Sequence, residues 1–246
     1  MNKEAEVAII LKDLKKKEVI YEYNESKKVP SASIIKVIIM MEAVNQVIKG
    51  NYRLEDIIEI KGEDKVEYSI ITELKIDRFT FRDLITLMII ISDNTATNVL
   101  IDLLGIENIN KFAKELGLKN TILQRKMMDF EAAEMGRQNY TSPLDMSKVL
   151  ELIYRKEILN EEMCNLIIDI LKRQNHKEML PKYLPEEITI GHKTGELKNL
   201  NHDIGIIFLD HIDYILGVFV TSANSNLEAK EIIANVSKII YEGLKT

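Results

Sequence analysis

The chain has 246 residues, 46% apolar and 29% charged, with a net charge of −6, the make-up of an ordinary soluble globular protein of one large domain or two closely packed ones. Its charges are interspersed and on balance acidic, which excludes a nucleic-acid footprint and argues against a membrane-surface role. Cys164 is the only cysteine and the four histidines (176, 192, 202 and 211) are scattered, so no intrachain disulfide can form and neither a metal site nor a cofactor is expected.

The amino terminus, Met-Asn-Lys-Glu-Ala-Glu, carries no apolar signal core and no cleavage site. A cytoplasmic location stays open beside an export signal outside this sequence. Val7–Leu11 and Val19–Tyr23 are rich in branched and aromatic residues and predict two strands joined by a lysine-rich hairpin end. After Val29-Pro30 the run Ser33–Lys49 is apolar on nearly every side, which predicts a central buried helix stopped by Gly50. Residues 51–77 are irregular, with an extended piece at Ile57–Ile60. Thr80-Phe-Arg-Asp83 has the form of a capping box and opens a helix over Phe81–Ile91. Ser92-Asp93-Asn94 interrupts the apolar pattern, Thr95–Leu104 resumes it, and Asn108–Leu116 is a further amphipathic helix.

Residues 124–140 are polar and without period, and a loop of that length in a compact domain is usually functional. Ser142-Pro143 caps a helix running to Arg155, and Asn160 caps one running to Arg173. Ile188–Gly191, Asp203–Leu209 and Tyr214–Thr221 predict three strands, and Leu227–Leu244 a closing helix. Two strands at the start and three at the end predict an α+β fold of three α-β-α layers, with one five-stranded antiparallel sheet built from both termini. In that reading residues 1–28 and 180–246 form the α/β lobe and residues 29–179 a helical lobe, in one compact unit with a cleft between them.

Three short motifs carry possible chemistry. Ser33-Ile-Ile-Lys36 places a hydroxyl one helical turn before an amine. A serine at a helix start has its own N–H available to an oxyanion, in the favourable field of the helix dipole. The residues beside Lys36 are uncharged, so burial would disfavour its ammonium and make it a better base. The plain alternative is a capping serine and a lysine reaching solvent. Ser92-Asp93-Asn94 also reads as a capped helix junction, and His192-Lys193-Thr194-Gly195 as the end of a strand.

Taken together and in order, Ser33-x-x-Lys36, Ser92-Asp93-Asn94 and Lys193-Thr194-Gly195 resemble the signature of class A β-lactamases and penicillin-binding proteins, with separations of about sixty and about a hundred residues. Residues 91–98, Ser142-Pro143-Leu-Asp-Met146 and Asn201-His-Asp-Ile-Gly-Ile206 are similar to further blocks of that family, so the resemblance spans essentially the whole chain. It implies Ser33 as the acylated nucleophile, Lys36 as its proton acceptor and Ser92 as the proton shuttle. It also implies Asn94 for the substrate amide and Lys193 with Thr194 for the substrate carboxylate. Gly195 completes that motif, and the backbone N–H groups of Ser33 and Glu196 make the oxyanion hole. The implied partner is a small β-lactam or other acyl compound; the sequence does not set the oligomeric state, and a monomer is favoured. Family members work outside the cytoplasm.

The chain departs from the family in one place that bears on mechanism. The Glu-x-x-Leu-Asn pattern that supplies the deacylating carboxylate is absent from residues 124–140, and by register its glutamate falls near Met127. Arg125 resembles the arginine that opens the loop, and Asn139 stands where an aspartate usually closes it. Asp129, Glu131 and Glu134 are the nearby carboxylates. The family's amino-terminal helix and its later carboxylate-binding arginine are not evident. A D,D-peptidase or esterase of the same superfamily, or a sensor acylated once by penicillin, are therefore alternatives to a turnover β-lactamase.

Overall fold

The structure, a computed structural model, describes residues 4–245. Met1–Lys3 of the amino-terminal stretch and Thr246 lie outside the described residues. Strands β1 (Glu6–Asp13) and β2 (Glu18–Tyr23) form the first hairpin, followed by β3 (Val29–Pro30) and helix α1 (Lys36–Ile48). Then come β4 (Ile57–Glu59), β5 (Arg78–Thr80), α2 (Phe81–Ile90), α3 (Asn94–Leu104) and α4 (Ile106–Glu115). The middle of the chain holds α5 (Phe130–Glu134), β6 (Tyr140–Thr141), α6 (Pro143–Arg155) and α7 (Glu161–Lys172). Strands β7 (Thr189–Leu197), β8 (Leu200–Phe208) and β9 (Asp213–Thr221) and helix α8 (Asn226–Leu244) complete it.

The five long strands make one antiparallel sheet in the order β2-β1-β9-β8-β7, so the two ends of the chain meet at the β1–β9 pair. Side chains alternate across it. Ile10, Ile204, Ile206, Ile215 and Phe219 face the core shared with α1, α2, α3 and α6, whereas Ile190, Ile207, Leu216, Val218 and Val220 face α8. The expected α+β, three-layer fold is what this arrangement builds. Among the described residues no helix is long and apolar enough to cross a membrane.

The caps read from the sequence act as written. Thr80 Oγ1 accepts from Asp83 N–H at 3.0 Å while Asp83 accepts from Thr80 N–H at 3.0 Å, a reciprocal pair that fixes the start of α2. Ser142 and Asn160 accept from Asp145 and Met163, three residues on. Helix α1 is buried from Lys36 to Val44, and each aliphatic side chain enclosed there contributes roughly 1.5–3 kcal/mol relative to exposure.

Near the cleft, three stretches differ in form from the sequence reading. The helix expected over Ser33–Lys49 begins as a 3-10 turn, Ala32–Ile35, and only then becomes α1. Ser31 N–H donates to Asn139 O and Ile34 N–H to Ser31 O, which closes a tight turn before the α-helix starts. Strand β7 does not end before Lys193-Thr194-Gly195 but contains it. Its interior is polar yet buried, because partners rather than apolar alternation satisfy it, so the period-2 signal is lost. The loop of residues 124–140 encloses the short helix α5, capped by Asp129.

Candidate active site

Ser33 stands after β3, in the 3-10 turn Ala32–Ile35 that leads the chain into the buried helix. Ala32 just before it has φ +46°, a left-handed conformation costing about 1–3 kcal/mol for a non-glycine residue. Ser92 itself has φ +58°. Both serines are thus presented by strained backbone, which persists only where the surroundings hold it. Gly195 supplies part of that hold for Ser33. A Cβ there would lie 3.0 Å from Ile34 Cγ1, 3.1 Å from Ala32 Cβ and 3.2 Å from Ser31 O, so only glycine lets β7 run this close to the turn.

The three motifs converge. Lys36 Nζ donates to Ser92 O at 2.6 Å, Ser92 Oγ at 3.1 Å and Asn94 Oδ1 at 2.9 Å. Lys193 Nζ donates to the same Ser92 Oγ at 3.1 Å and to Thr194 O at 2.8 Å. One hydroxyl therefore links two fully buried amines. Burial, then the neighbouring Lys193 charge, holds Lys36 well below the ordinary lysine range, with Asp93 opposing. Burial pushes Lys193 down to about 7, with the Asp203 carboxylate opposing. An amine brought to the range of Lys193 exchanges protons near neutral pH. Ser33, Ser92, Asn94, Thr194 and Glu196 line one cleft of about 730 Å³.

Ser33 Oγ makes no hydrogen bond among the described residues, and Lys36 is turned to Ser92 and Asn94. Asn94 is also engaged through Nδ2 with Glu67 O at 3.2 Å. Glu196 does not point its carboxylate at the serine. It accepts from Lys230 Nζ at 2.8 Å, Asn226 Nδ2 at 2.9 Å and Asn201 Nδ2 at 3.1 Å. Asp93 serves as the cap foreseen for this junction, accepting from Ala96 N–H at 2.8 Å, and also holds Ser69 Oγ at 2.9 Å. The cap is made by Asp93, while Ser92 and Asn94 of the same triplet face Lys36.

The loop carboxylates are placed elsewhere. Asp129 accepts from Ala132 N–H at 2.9 Å as the cap of α5, and Asp129, Glu131 and Glu134 are all exposed. None of the three borders the cleft or the smaller cavity, about 90 Å³, that Ser33 shares with Asn94, Arg125, Met127 and Gln138. Position 127 is held firmly. Asn98 Oδ1 accepts from Met127 N–H at 2.7 Å and Asn98 Nδ2 donates to Met127 O at 3.1 Å. Sequence reasoning missed this clamp, although an asparagine inside the apolar face of α3 was a usable signal. It also missed Tyr68, Met128 and Phe130, which border the cleft from exposed or irregular segments without periodic signature.

The neck of the loop is closed by the amides of Asn139 and Gln138 and the Arg125 guanidinium. Asn139 Oδ1 accepts from Gln124 N–H at 2.7 Å and Arg125 N–H at 3.0 Å, and its Nδ2 donates to Arg125 O at 3.0 Å. Arg125 donates twice to Gln138 Oε1, at 3.1 and 2.8 Å. Asn139→Ala is expected to cost about 2–4 kcal/mol, because two backbone donors lose their acceptor. Urea unfolding reads that loss, and limited proteolysis should cut first within residues 124–140. Unchanged stability would mean that the neck is held by other contacts.

Comparison with known proteins agrees with this geometry. The model of the β-lactamase enzyme family matches residues 1–244. A β-lactamase of Bacteroides uniformis is 25% identical over 241 residues, 91% of this chain and 81% of the relative. Among solved structures, an ancestral class A β-lactamase has a TM-score of 0.90 at 25% identity, over 98% of this chain and 95% of that one. A mutant of PBP-A in its acyl-enzyme complex with penicillin-G has a TM-score of 0.89 at 26% identity, over 98% and 90%. The chain belongs to the β-lactamase enzyme family and is a class A β-lactamase-like serine hydrolase that acts on β-lactams.

Proposed function

We propose that Ser33 is the residue acylated by the β-lactam, and that release of the acyl group from it is the slow step. The observation that carries this reading is the single Ser92 hydroxyl 3.1 Å from both Lys36 Nζ and Lys193 Nζ, in the cleft that Ser33 lines. Lys36, depressed by burial, takes the Ser33 proton as Oγ attacks the lactam carbonyl. Its present bonds to Ser92 and Asn94 are those of a resting site, in which catalytic contacts are often loose. Ser92 Oγ passes a proton to the departing lactam nitrogen and is resupplied by the amines beside it. Lys193 has one N–H beyond its two bonds, and with the Thr194 hydroxyl it receives the substrate carboxylate. Asn94 meets the amide side chain of the substrate. The N–H groups of Ser33 and Glu196 receive the oxyanion, a role aided by the position of Ser33 at a helix start.

The acyl-ester then waits for water. The residue at the deacylating position, Met127, has no basic atom, and the loop carboxylates are exposed and line neither cavity. Turnover is therefore slow relative to acylation, as in a penicillin-binding protein. Incubation with penicillin-G followed by intact mass measurement tests the reading. One adduct per chain, on the peptide that contains Ser33, is expected. An unmodified protein, or an adduct on another peptide, contradicts it.

A further inference from the structure

Behind Lys193, on the α8 side of the sheet, lies a buried carboxylate that the scheme above does not use. Asp203 sits on β8 directly opposite Thr194 in register, one position from the partner of Lys193. It is fully buried. Its oxygens receive His192 Nδ1 at 2.9 and 3.1 Å, and its Oδ2 also accepts from Leu180 N–H at 3.0 Å. Leu180 O accepts from Ser237 Oγ at 2.8 Å, so the same carboxylate ties β7, β8, α8 and the segment that carries Met179 at the cleft wall. A buried charge is costly to keep, and two donors, His192 Nδ1 and Leu180 N–H, hold this one in place next to a second buried charge of opposite sign.

We infer that Asp203, fixed by His192 and Leu180, is a positioning residue whose negative charge keeps Lys193 cationic for the substrate carboxylate. The inference rests on the proposed role of Lys193 and adds what sustains it. Burial alone drives the amine toward neutrality, and Asp203 is the charge that opposes this. The other charged and titratable groups around Lys193 do not replace it. Lys36 lies across Ser92 and carries the same sign, and Asp93, beyond it, is committed to the α3 cap and Ser69. Glu196 is paired with Lys230, while Lys198, His176 and Glu178 stand on the cleft wall.

The sign follows from the chemistry. Lys193 binds a carboxylate when protonated, so penicillin acylation falls as pH rises through its pKa. Removing the Asp203 charge moves that fall to lower pH. Asp203→Asn preserves shape and an acceptor for Leu180 N–H while removing the charge. The measurement is the second-order acylation constant against pH for penicillin-G and for its methyl ester, which has no carboxylate. In the variant the alkaline limb for penicillin-G should move about 1 pH unit or more lower, with roughly tenfold slower acylation above it. The methyl ester should change less than about threefold, since only the carboxylate reads the missing charge. His192→Asn, which disturbs the same pocket but keeps the carboxylate, should leave the limb in place. If Asp203→Asn does not fold, Asp203→Ser is expected to give the same shift.

An unmoved limb, or equal losses for acid and ester, would make Asp203 purely structural and overturn the inference. Failure of both Asp203 variants to fold would assign it that structural role as well. Wild-type labelling is measured first. If Ser33 is not labelled the proposed function itself fails, whereas labelled wild type with an unmoved limb in Asp203→Asn sinks only the role of Asp203.

Discussion

Ser33→Ala is expected to abolish covalent labelling by penicillin-G, with acylation slowed at least about a thousandfold. The loss should be one of chemistry and not of folding. Ser33 Oγ holds no hydrogen bond among the described residues, and the turn around it is set by backbone bonds from Ser31 to Asn139 and from Ile34 to Ser31. Surface-like changes of this kind usually stay within about 0.5 kcal/mol, so thermal unfolding should barely move. The alanine variant should still bind penicillin reversibly, because Lys193 and Thr194 are intact. Labelling that persists in Ser33→Ala would place the nucleophile elsewhere.

The second large effect runs the other way. Met127→Glu is expected to speed deacylation by about 10²–10⁴-fold, the usual value of a positioned general base. The two side chains are close in length, and the Asn98 clamp holds the backbone of this position whichever side chain it carries. That side chain borders the cavity of about 90 Å³ beside Ser33, room enough for water. Partial burial there would raise the pKa of the new carboxyl, which suits it to act as a base near neutral pH. The readout is steady-state hydrolysis of a chromogenic cephalosporin, with acylation followed separately. A folded variant that acylates normally and deacylates no faster than wild type would show that the missing base is not what limits turnover.

Much of the fold was legible because the sequence writes it locally. The Thr80, Ser142 and Asn160 caps fixed helix starts, and the branched and aromatic runs of β1, β2 and β9 marked them as strands. The groups placed together by the three motifs were legible too, as a pattern of residue types in order. What the sequence hid is tertiary. No period marks β7 through Lys193-Thr194-Gly195, because its buried polar side chains are satisfied by Ser92 from a distant element and by Asp203 from the paired strand. Nothing local shows that Asp129 would be spent on capping α5, which removed the nearest carboxylate from consideration as a base. The strained backbone at Ala32 and Ser92 is likewise imposed from outside, by the approach of Gly195 at the first of these positions.

The central claim is that Ser33 acylates faster than it is released. Rapid mixing of the wild-type chain with an excess of a chromogenic cephalosporin measures both rates in one trace. A burst whose amplitude equals the enzyme concentration is expected, followed by a much slower steady rate, with acylated protein accumulating by mass. A trace linear from the first turnover, with no acyl-enzyme accumulating, would contradict it.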